Sequence, residues 1–211
     1  KAPDTEYQQS SEPYMSLAIL TRSHGLFSQA ETLIGDVFTR EYGATVDHLP
    51  DRILVVLGVD DELLCAAGLR DSASGIFSEC YLDVPAETAI EGRVGQPVRR
   101  EQILELTALA AARPGAMAAL LQGFASLGLE AGYRWGLFTA TKRLRRMARR
   151  IGIDLIELSE ARRDRISDPE NWGSYYDQQP VVCAVEGKSA QGHLKSGFLN
   201  SCGTKQSLSA R

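Results

Sequence analysis

Ile103-Leu-Glu-Leu-Thr-Ala-Leu-Ala-Ala111, continuing into Ala112-Arg-Pro-Gly115, is the stretch on which the reading of the fold turns. Apart from Glu105 and Thr107 its first nine residues are apolar, which suits a strand covered on both faces. Alternation sets Ile103, Glu105 and Thr107 on one face, against Leu104, Leu106 and Ala108 on the other. Pro114 suits a first helical turn, and Met117, Leu120, Leu121, Phe124 and Leu127 then recur on one helical face. A strand that runs into a helix through small residues leaves free backbone amides where a phosphate can sit. Glu105 is the exception within the strand. A carboxylate there is costly if ionised and unpartnered, so it needs a partner, a raised pKa or a substrate that supplies charge. Two roles remain open: binding or deprotonating an amine, or a structural ion pair with an arginine such as Arg70.

Outward from this stretch, Ser28-Gln-Ala-Glu31 reads as a capping box opening a helix with Ala30, Leu33, Ile34, Val37 and Phe38 on one face. Glycine at Gly43 suits its end. Arg52 to Val59 and Leu63 to Arg70 read as a hairpin turning at Asp60-Asp61, and Asp71 to Arg100 as a loop. Trp135 to Thr141 is a strand, and Thr141 caps a helix from Lys142 to Arg150. That helix turns Leu144, Met147 and Ala148 inward and presents Arg143, Arg145, Arg146, Arg149 and Arg150 on its other face. Ile153 to Leu158 and Pro180 to Glu186 supply further strands. The order predicts an α/β fold, a mixed central sheet with helices on both faces. Residues 1–12 read as a disordered leader, 13–187 as a single domain and 188–211 as a flexible tail.

Composition excludes several classes. A net charge of -4 argues against nucleic acid as a partner. The four cysteines are scattered singly, a reduced pattern that points to the cytoplasm. No apolar run reaches the roughly 20 residues of a transmembrane segment. His24, His48 and His193 have no ligand spacing, so no metal is expected. Neither a GxSxG elbow nor a nucleotide-binding glycine motif occurs. Trp172-Gly-Ser-Tyr-Tyr-Asp177 reads as an aromatic packing corner that is also placed to lid a pocket.

Ala67-Gly-Leu-Arg70, Phe77-Ser-Glu-Cys-Tyr-Leu-Asp83, Glu105-Leu-Thr-Ala-Leu-Ala-Ala111, Phe138-Thr-Ala-Thr141 and Trp172-Gly-Ser-Tyr-Tyr-Asp177 together resemble the thermostable hemolysin family. That family is similar to the GNAT N-acyltransferases, near acyl-homoserine-lactone synthases and N-acyl amino acid synthases. The resemblance implies an enzyme moving an acyl group from a thioester of acyl carrier protein or coenzyme A to a small amine acceptor. It implies a V-shaped splay of the central strands, with an acyl-phosphopantetheine co-substrate along Ala108, Ala110 and Ala111. Phosphate would meet Arg113, Gly115, Ala116 and Met117, with Thr139 and Arg145 also on the cofactor side. The acyl chain would lie among Leu106, Trp135, Leu137 and Phe138. Glu105, Arg70 and Thr107 would form the reacting centre, and Phe38, Arg40, Tyr42 and Glu79 would shape the acceptor site. The arginine face, by itself an ordinary solvated helix face, stands beside the phosphate turn on a net acidic chain, which suits the acidic helix of an acyl carrier protein or the phosphates of coenzyme A.

Two positions depart from the family pattern. Ala112 stands where the pyrophosphate motif has Gln or Arg, and Ala148 where acetyltransferases carry a tyrosine acid. The rival readings are a membrane-active hemolysin and a non-catalytic module that binds acyl groups or carrier protein.

Overall fold

A computed structural model describes residues 15–191. The leader assigned to residues 1–12 lies outside them, as does most of the assigned tail; the start of that tail, within α5 (Gly187–Gln191), is helical rather than irregular. The chain runs β1 (Ser16–Thr21), α1 (Phe27–Tyr42), β2 (Arg52–Leu57), β3 (Leu63–Asp71), α2 (Ala86–Val94), β4 (Ile103–Ala111), α3 (Ala116–Glu130), β5 (Trp135–Ala140), α4 (Lys142–Arg150), β6 (Ile156–Glu160), β7 (Val181–Glu186) and α5. Its sheet has seven strands in the order β1-β2-β3-β4-β5-β7-β6. Only β4 and β5 are parallel, joined by the crossover helix α3; every other pairing is antiparallel.

Both faces of the sheet are covered, which is why β2 reads as an unbroken apolar run. Leu54 and Val56 pack with Leu104, Leu106 and Leu120 under α3, while Ile53 and Val55 pack with Ile34 and Phe38 of α1. Ile103, Trp135 and Leu137 join Tyr81 and Ile90 in a third cluster beneath α2.

Several sequence expectations are corrected. Helix α1 starts one residue before the proposed capping box and has no side-chain cap; Leu26 N–H donates to His24 Nδ1 instead. Gly43, with φ 64°, ends it as expected. Helix α3 starts after Gly115, itself left-handed at φ 84°, so Pro114 lies in the turn and not in the first helical turn. Strand β1 and helix α2 carry too little periodicity to stand out: β1 is a short edge, and α2 buries only Ala86 and Ile90. The strand expected at Ile153 begins three residues later.

Candidate functional site

The bulge in β4 creates the site. Gly68 of β3 pairs with Thr107 and Ala66 pairs with Ala110, so two β4 residues stand against one on β3. Ala108 absorbs the extra length at φ 48°, a left-handed backbone that alanine rarely takes. Alternation breaks there: Ala108 packs on the α1 side and not with Leu104 and Leu106 as simple parity requires. Pairing of β4 with β5 stops at Leu106 and Phe138, although both strands continue. Beyond that point the two strands diverge, and β4 from Thr107 onward presents backbone groups to open space.

Gly68 makes the crowding on the other side possible. A Cβ there would lie 2.5 Å from Thr107 Oγ1 and 2.7 Å from Pro50 Cδ. At the far end of β4, the turn Ala112–Gly115 opens α3, whose first turn leaves the Met117 amide without a backbone acceptor among the described residues. Arg113 in that turn pairs with exposed Glu62 at 2.9 Å.

A cavity of about 870 Å³ threads the splay. From the α3–α4 side it is lined by Leu109, Met117, Leu144 and Met147; from the α1 side by Phe38 and Tyr42; and from below by Phe77 and Tyr81. Trp172 and Tyr175 close it further. Trp172 stacks on Phe77 at 6.3 Å, and Tyr175 on Phe38 at 6.0 Å. That corner is fixed by backbone: Ser174 N–H donates to Tyr42 O at 2.8 Å and Thr45 N–H to Asn171 O at 2.7 Å. Gly173 makes the close approach possible, because any Cβ would strike the Tyr42 carbonyl. The aromatic segment is therefore both a packing corner and a cavity wall.

Polar groups interrupt this apolar and aromatic wall. Ser78 and Thr139 share a hydroxyl hydrogen bond of 3.0 Å, and Thr107 lies on the same wall. Arg70 Nη1 donates to Ser74 O at 3.3 Å, while its buried Nε has no hydrogen-bond partner among the described residues. Cys80 also lines the cavity, its thiol pushed up to about 11 by burial and by the charge of Glu105. A thiol held in its neutral form is a poor nucleophile.

Glu105 sits behind this wall and not in it. Fully buried, it accepts the Phe77 and Ser78 amides, one on each carboxylate oxygen, both at 2.7 Å. Burial pushes its carboxyl up from the usual range; Ser78, Phe77 and Arg70 pull it back. Arg70 is its partner in strand register, yet no ion pair joins them among the described residues.

Of the residues singled out in the sequence, Arg70, Thr107, Ala108, Ala111, Arg113, Gly115, Met117, Thr139, Phe38, Tyr42 and Leu106 come together on the cavity. Others do not. Trp135, Leu137 and Phe138 are core residues at 1% exposure or less, because β5 is still paired on both sides there. Ala110 and Ala116 point into packing. Glu79 is held by Arg100 and by the Ala86 amide at the start of α2. Arg145 turns away from the exposed arginine face, with Nη1 on Ala140 O at 2.7 Å and Gln179 O at 2.8 Å. Arg40 pairs with its neighbour Glu41. Ser78, inside the quoted segment Phe77–Asp83 but given no role from the sequence, and the stretch Thr45–Leu49, which carries no local sequence signal, are also wall residues.

No helix among the described residues is long and apolar enough to cross a membrane. The described residues also hold no cluster of metal-binding side chains.

Comparison with known proteins gives a consistent picture. The family model for thermostable hemolysin matches residues 20–191. No curated protein matches the sequence significantly. Among solved structures, the chain is similar to a CoA-dependent acyl-homoserine lactone synthase, BjaI, with SAM and isopentyl-CoA. The TM-score is 0.61 and the identity 14%, covering 93% of this chain and 95% of that one. It is similar to the AHL synthase LasI at TM-score 0.60 and 14% identity, covering 87% and 95%. It is also similar to FeeM, an N-acyl amino acid synthase from uncultured soil microbes, at 0.59 and 12%, covering 86% and 96%. Likeness at this level of identity establishes a shared GNAT-like fold.

Proposed function

The chain belongs to the thermostable hemolysin family, and from that premise we propose that it is an N-acyltransferase moving an acyl group from a phosphopantetheine thioester to an amine. The observation that carries this reading is the break in β4–β5 pairing after Leu106 and Phe138, continuous with a cavity that reaches the start of α3. A gap between parallel strands normally costs their hydrogen bonds. A pantetheine arm restores them by pairing with β4 along Ala108–Ala111. Phosphate then meets the free amide at the start of α3, with Arg113 beside it.

In the reaction the acceptor nitrogen attacks the thioester carbonyl, the carbon–sulfur bond breaks and the thiol leaves with a proton. The wall at Ser78, Thr107 and Thr139 supplies hydroxyl donors near the base of the splay, where an oxyanion develops. The half-buried thiol of Cys80, held in its neutral form, favours direct transfer over an acyl-enzyme. Glu105 acts by position, holding the Phe77–Ser78 wall through its two amides. The acyl chain occupies the chamber of Phe38, Phe77, Trp172 and Tyr175 in place of the core around Trp135, Leu137 and Phe138.

Acyl carrier protein is the donor we favour. Arg143, at the cavity, and Arg146 and Arg150 are exposed without carboxylate partners among the described residues, on a chain of net charge -4. Such a patch suits an acidic helical carrier.

Purified protein incubated with acyl-carrier-protein or acyl-CoA thioesters and a pool of amines is the test. A new acyl-amine mass supports transfer, and thioester binding with no product supports the binding-module reading. Absence of both removes the proposal. The reading as a membrane-active hemolysin is tested by leakage of dye from liposomes with protein alone.

A further inference from the structure

Six aromatic rings stand on the cavity wall, and they come from three segments far apart in the chain. Phe38 and Tyr42 lie on α1, Phe77 and Tyr81 in the turn after β3, and Trp172 and Tyr175 in the β6–β7 connection. Each ring touches another. Trp172 sits 6.3 Å from Phe77 at an interplanar angle of 29°, and 5.3 Å from Tyr175. Tyr175 lies 6.0 Å from Phe38 at 26°, and Phe77 meets Tyr81 edge-on at 6.0 Å. Phe38, Tyr81 and Tyr175 are buried, whereas Tyr42, Phe77 and Trp172 are half-buried and keep ring surface on the cavity.

This wall is stiff. The Phe77 amide is held on Glu105 at 2.7 Å, and the Tyr81 hydroxyl shares a 2.8 Å hydrogen bond with that of Tyr176. The backbone bonds of Ser174 to Tyr42 and of Thr45 to Asn171 clamp Trp172 against α1. The opposite side of the cavity differs: Leu109, Met117, Leu144 and Met147 are flexible aliphatic and thioether chains, which adapt to what lies against them. The charged lining residues Glu41, Asp47, His48, Arg165 and Asp168 are exposed and stand at the rim. Glu41 and Arg165 there pair with Arg40 and Asp83, and Asp47 takes the Asn171 amide at 3.1 Å. Half-buried Arg70 donates to Ser74 O on the β3 side. The chamber itself meets its occupant chiefly with ring faces and edges.

Such a wall distinguishes flat occupants from flexible ones. A linear chain gains burial there but loses freedom at every bond it fixes, whereas an aromatic ring is rigid beforehand and adds stacked or edge-on ring pairs. We infer that the acyl group this chamber takes is itself aromatic, an aryl-substituted acid by chemical class, and that Phe77 and Trp172 select it by stacking. This rests on the acyl-transfer reading above.

Phenylpropanoyl, cyclohexylpropanoyl and nonanoyl thioesters carry the same number of carbon atoms and separate ring stacking from apolar bulk. Each is offered on coenzyme A and on acyl carrier protein, with the amine that the pool identifies. Wild type is expected to favour phenylpropanoyl over both others by about two- to tenfold in kcat/KM, the worth of one ring pair. Burial alone predicts the reverse order, since cyclohexyl is the more hydrophobic ring. Phe77→Leu and Trp172→Leu keep apolar bulk without a π-face, and each is expected to bring the ratio of phenyl to cyclohexyl to unity or below. The ratio is read within each protein, so a general loss of activity or a partly unfolded sample cancels.

Equal use of the three donors by the wild type overturns the inference, as does a preference for cyclohexylpropanoyl or nonanoyl, or a phenyl preference that survives both substitutions. If no amine yields product, calorimetry of the three thioesters with the same proteins decides separately. A phenyl preference in binding that the substitutions remove upholds the aryl chamber while removing the transferase reading. Binding blind to the ring overturns the inference, and no binding to the wild type overturns both.

Discussion

Replacing Glu105 with Gln tests whether this residue is a structural anchor or a reacting base. The carboxylate accepts one backbone amide on each oxygen at 2.7 Å, in a fully buried place. Glutamine keeps one acceptor and turns an NH2 against the other N–H. One charge-assisted bond is lost, worth about 1.5–3 kcal/mol, and one buried amide goes unsatisfied at about 1–3 kcal/mol. Removing a buried charge returns part of this, on the order of 2 kcal/mol. These terms leave a net destabilisation of about 0.5–4 kcal/mol, centred near 2 kcal/mol, which is roughly 4–8 °C in Tm at that centre for a chain of this length.

The pH dependence carries a second signature. Burial raises the Glu105 carboxyl above its value in the unfolded chain. Its stabilising contribution is thus fully present below the unfolded pKa of about 4.3 and is lost as pH rises through the folded pKa. Urea titrations across this range should show a wild-type decline that the Gln variant lacks. Turnover is expected to fall only in step with loosening of the Phe77–Ser78 wall. The reasoning is refuted if the variant keeps its stability within about 0.5 kcal/mol while losing all acyl transfer, for then the carboxylate is needed by the chemistry and not by the fold.

Further outcomes follow from the same geometry. Gly68→Ala drives a methyl into Thr107 Oγ1 and Pro50; a loss of about 1–3 kcal/mol is expected in chemical denaturation. Trp172→Ala removes a wall of the aromatic chamber, and competition assays should show weakened binding of long-chain thioesters with short-chain ones nearly unaffected. Charge reversal at Arg143 and Arg146 is expected to raise KM for carrier-protein donors, and to flatten their salt dependence, while sparing CoA donors. The Glu79 carboxyl is held below its usual range by Arg100, so its contribution is present above the unfolded pKa and is lost as pH falls through the folded one. Arg100→Met should therefore move the acid-unfolding midpoint to higher pH in a fluorescence titration.

What the sequence determined by itself is the part governed by local pattern. Ile103–Ala111 is a strand with the bounds its apolar run indicates, Lys142–Arg150 a helix capped by Thr141, and Gly43 a left-handed helix end. Those features follow from side-chain periodicity and backbone freedom within a few residues, and the mixed sheet covered on both faces follows from their order. Strand β1 and helix α2 escaped because a short edge and a helix with two buried residues have little periodicity to read. Tertiary structure alone decided which residues reach the cavity. Glu105 and Thr107 share a strand face in the sequence pattern, yet Phe77 and Ser78, from a distant turn, cover one and leave the other on the wall. Trp135, Leu137 and Phe138 looked like a lining by their apolarity, but β5 is still flanked by β4 and β7 at those residues and buries them as core. The left-handed turn at Ala108 belongs to the same class: alanine shows no preference for it, and it exists because the β3–β4 register, fixed by Gly68 against Thr107, leaves one residue too many. Apolarity and alternation record that a side chain is buried; what buries it depends on residues far away in the chain.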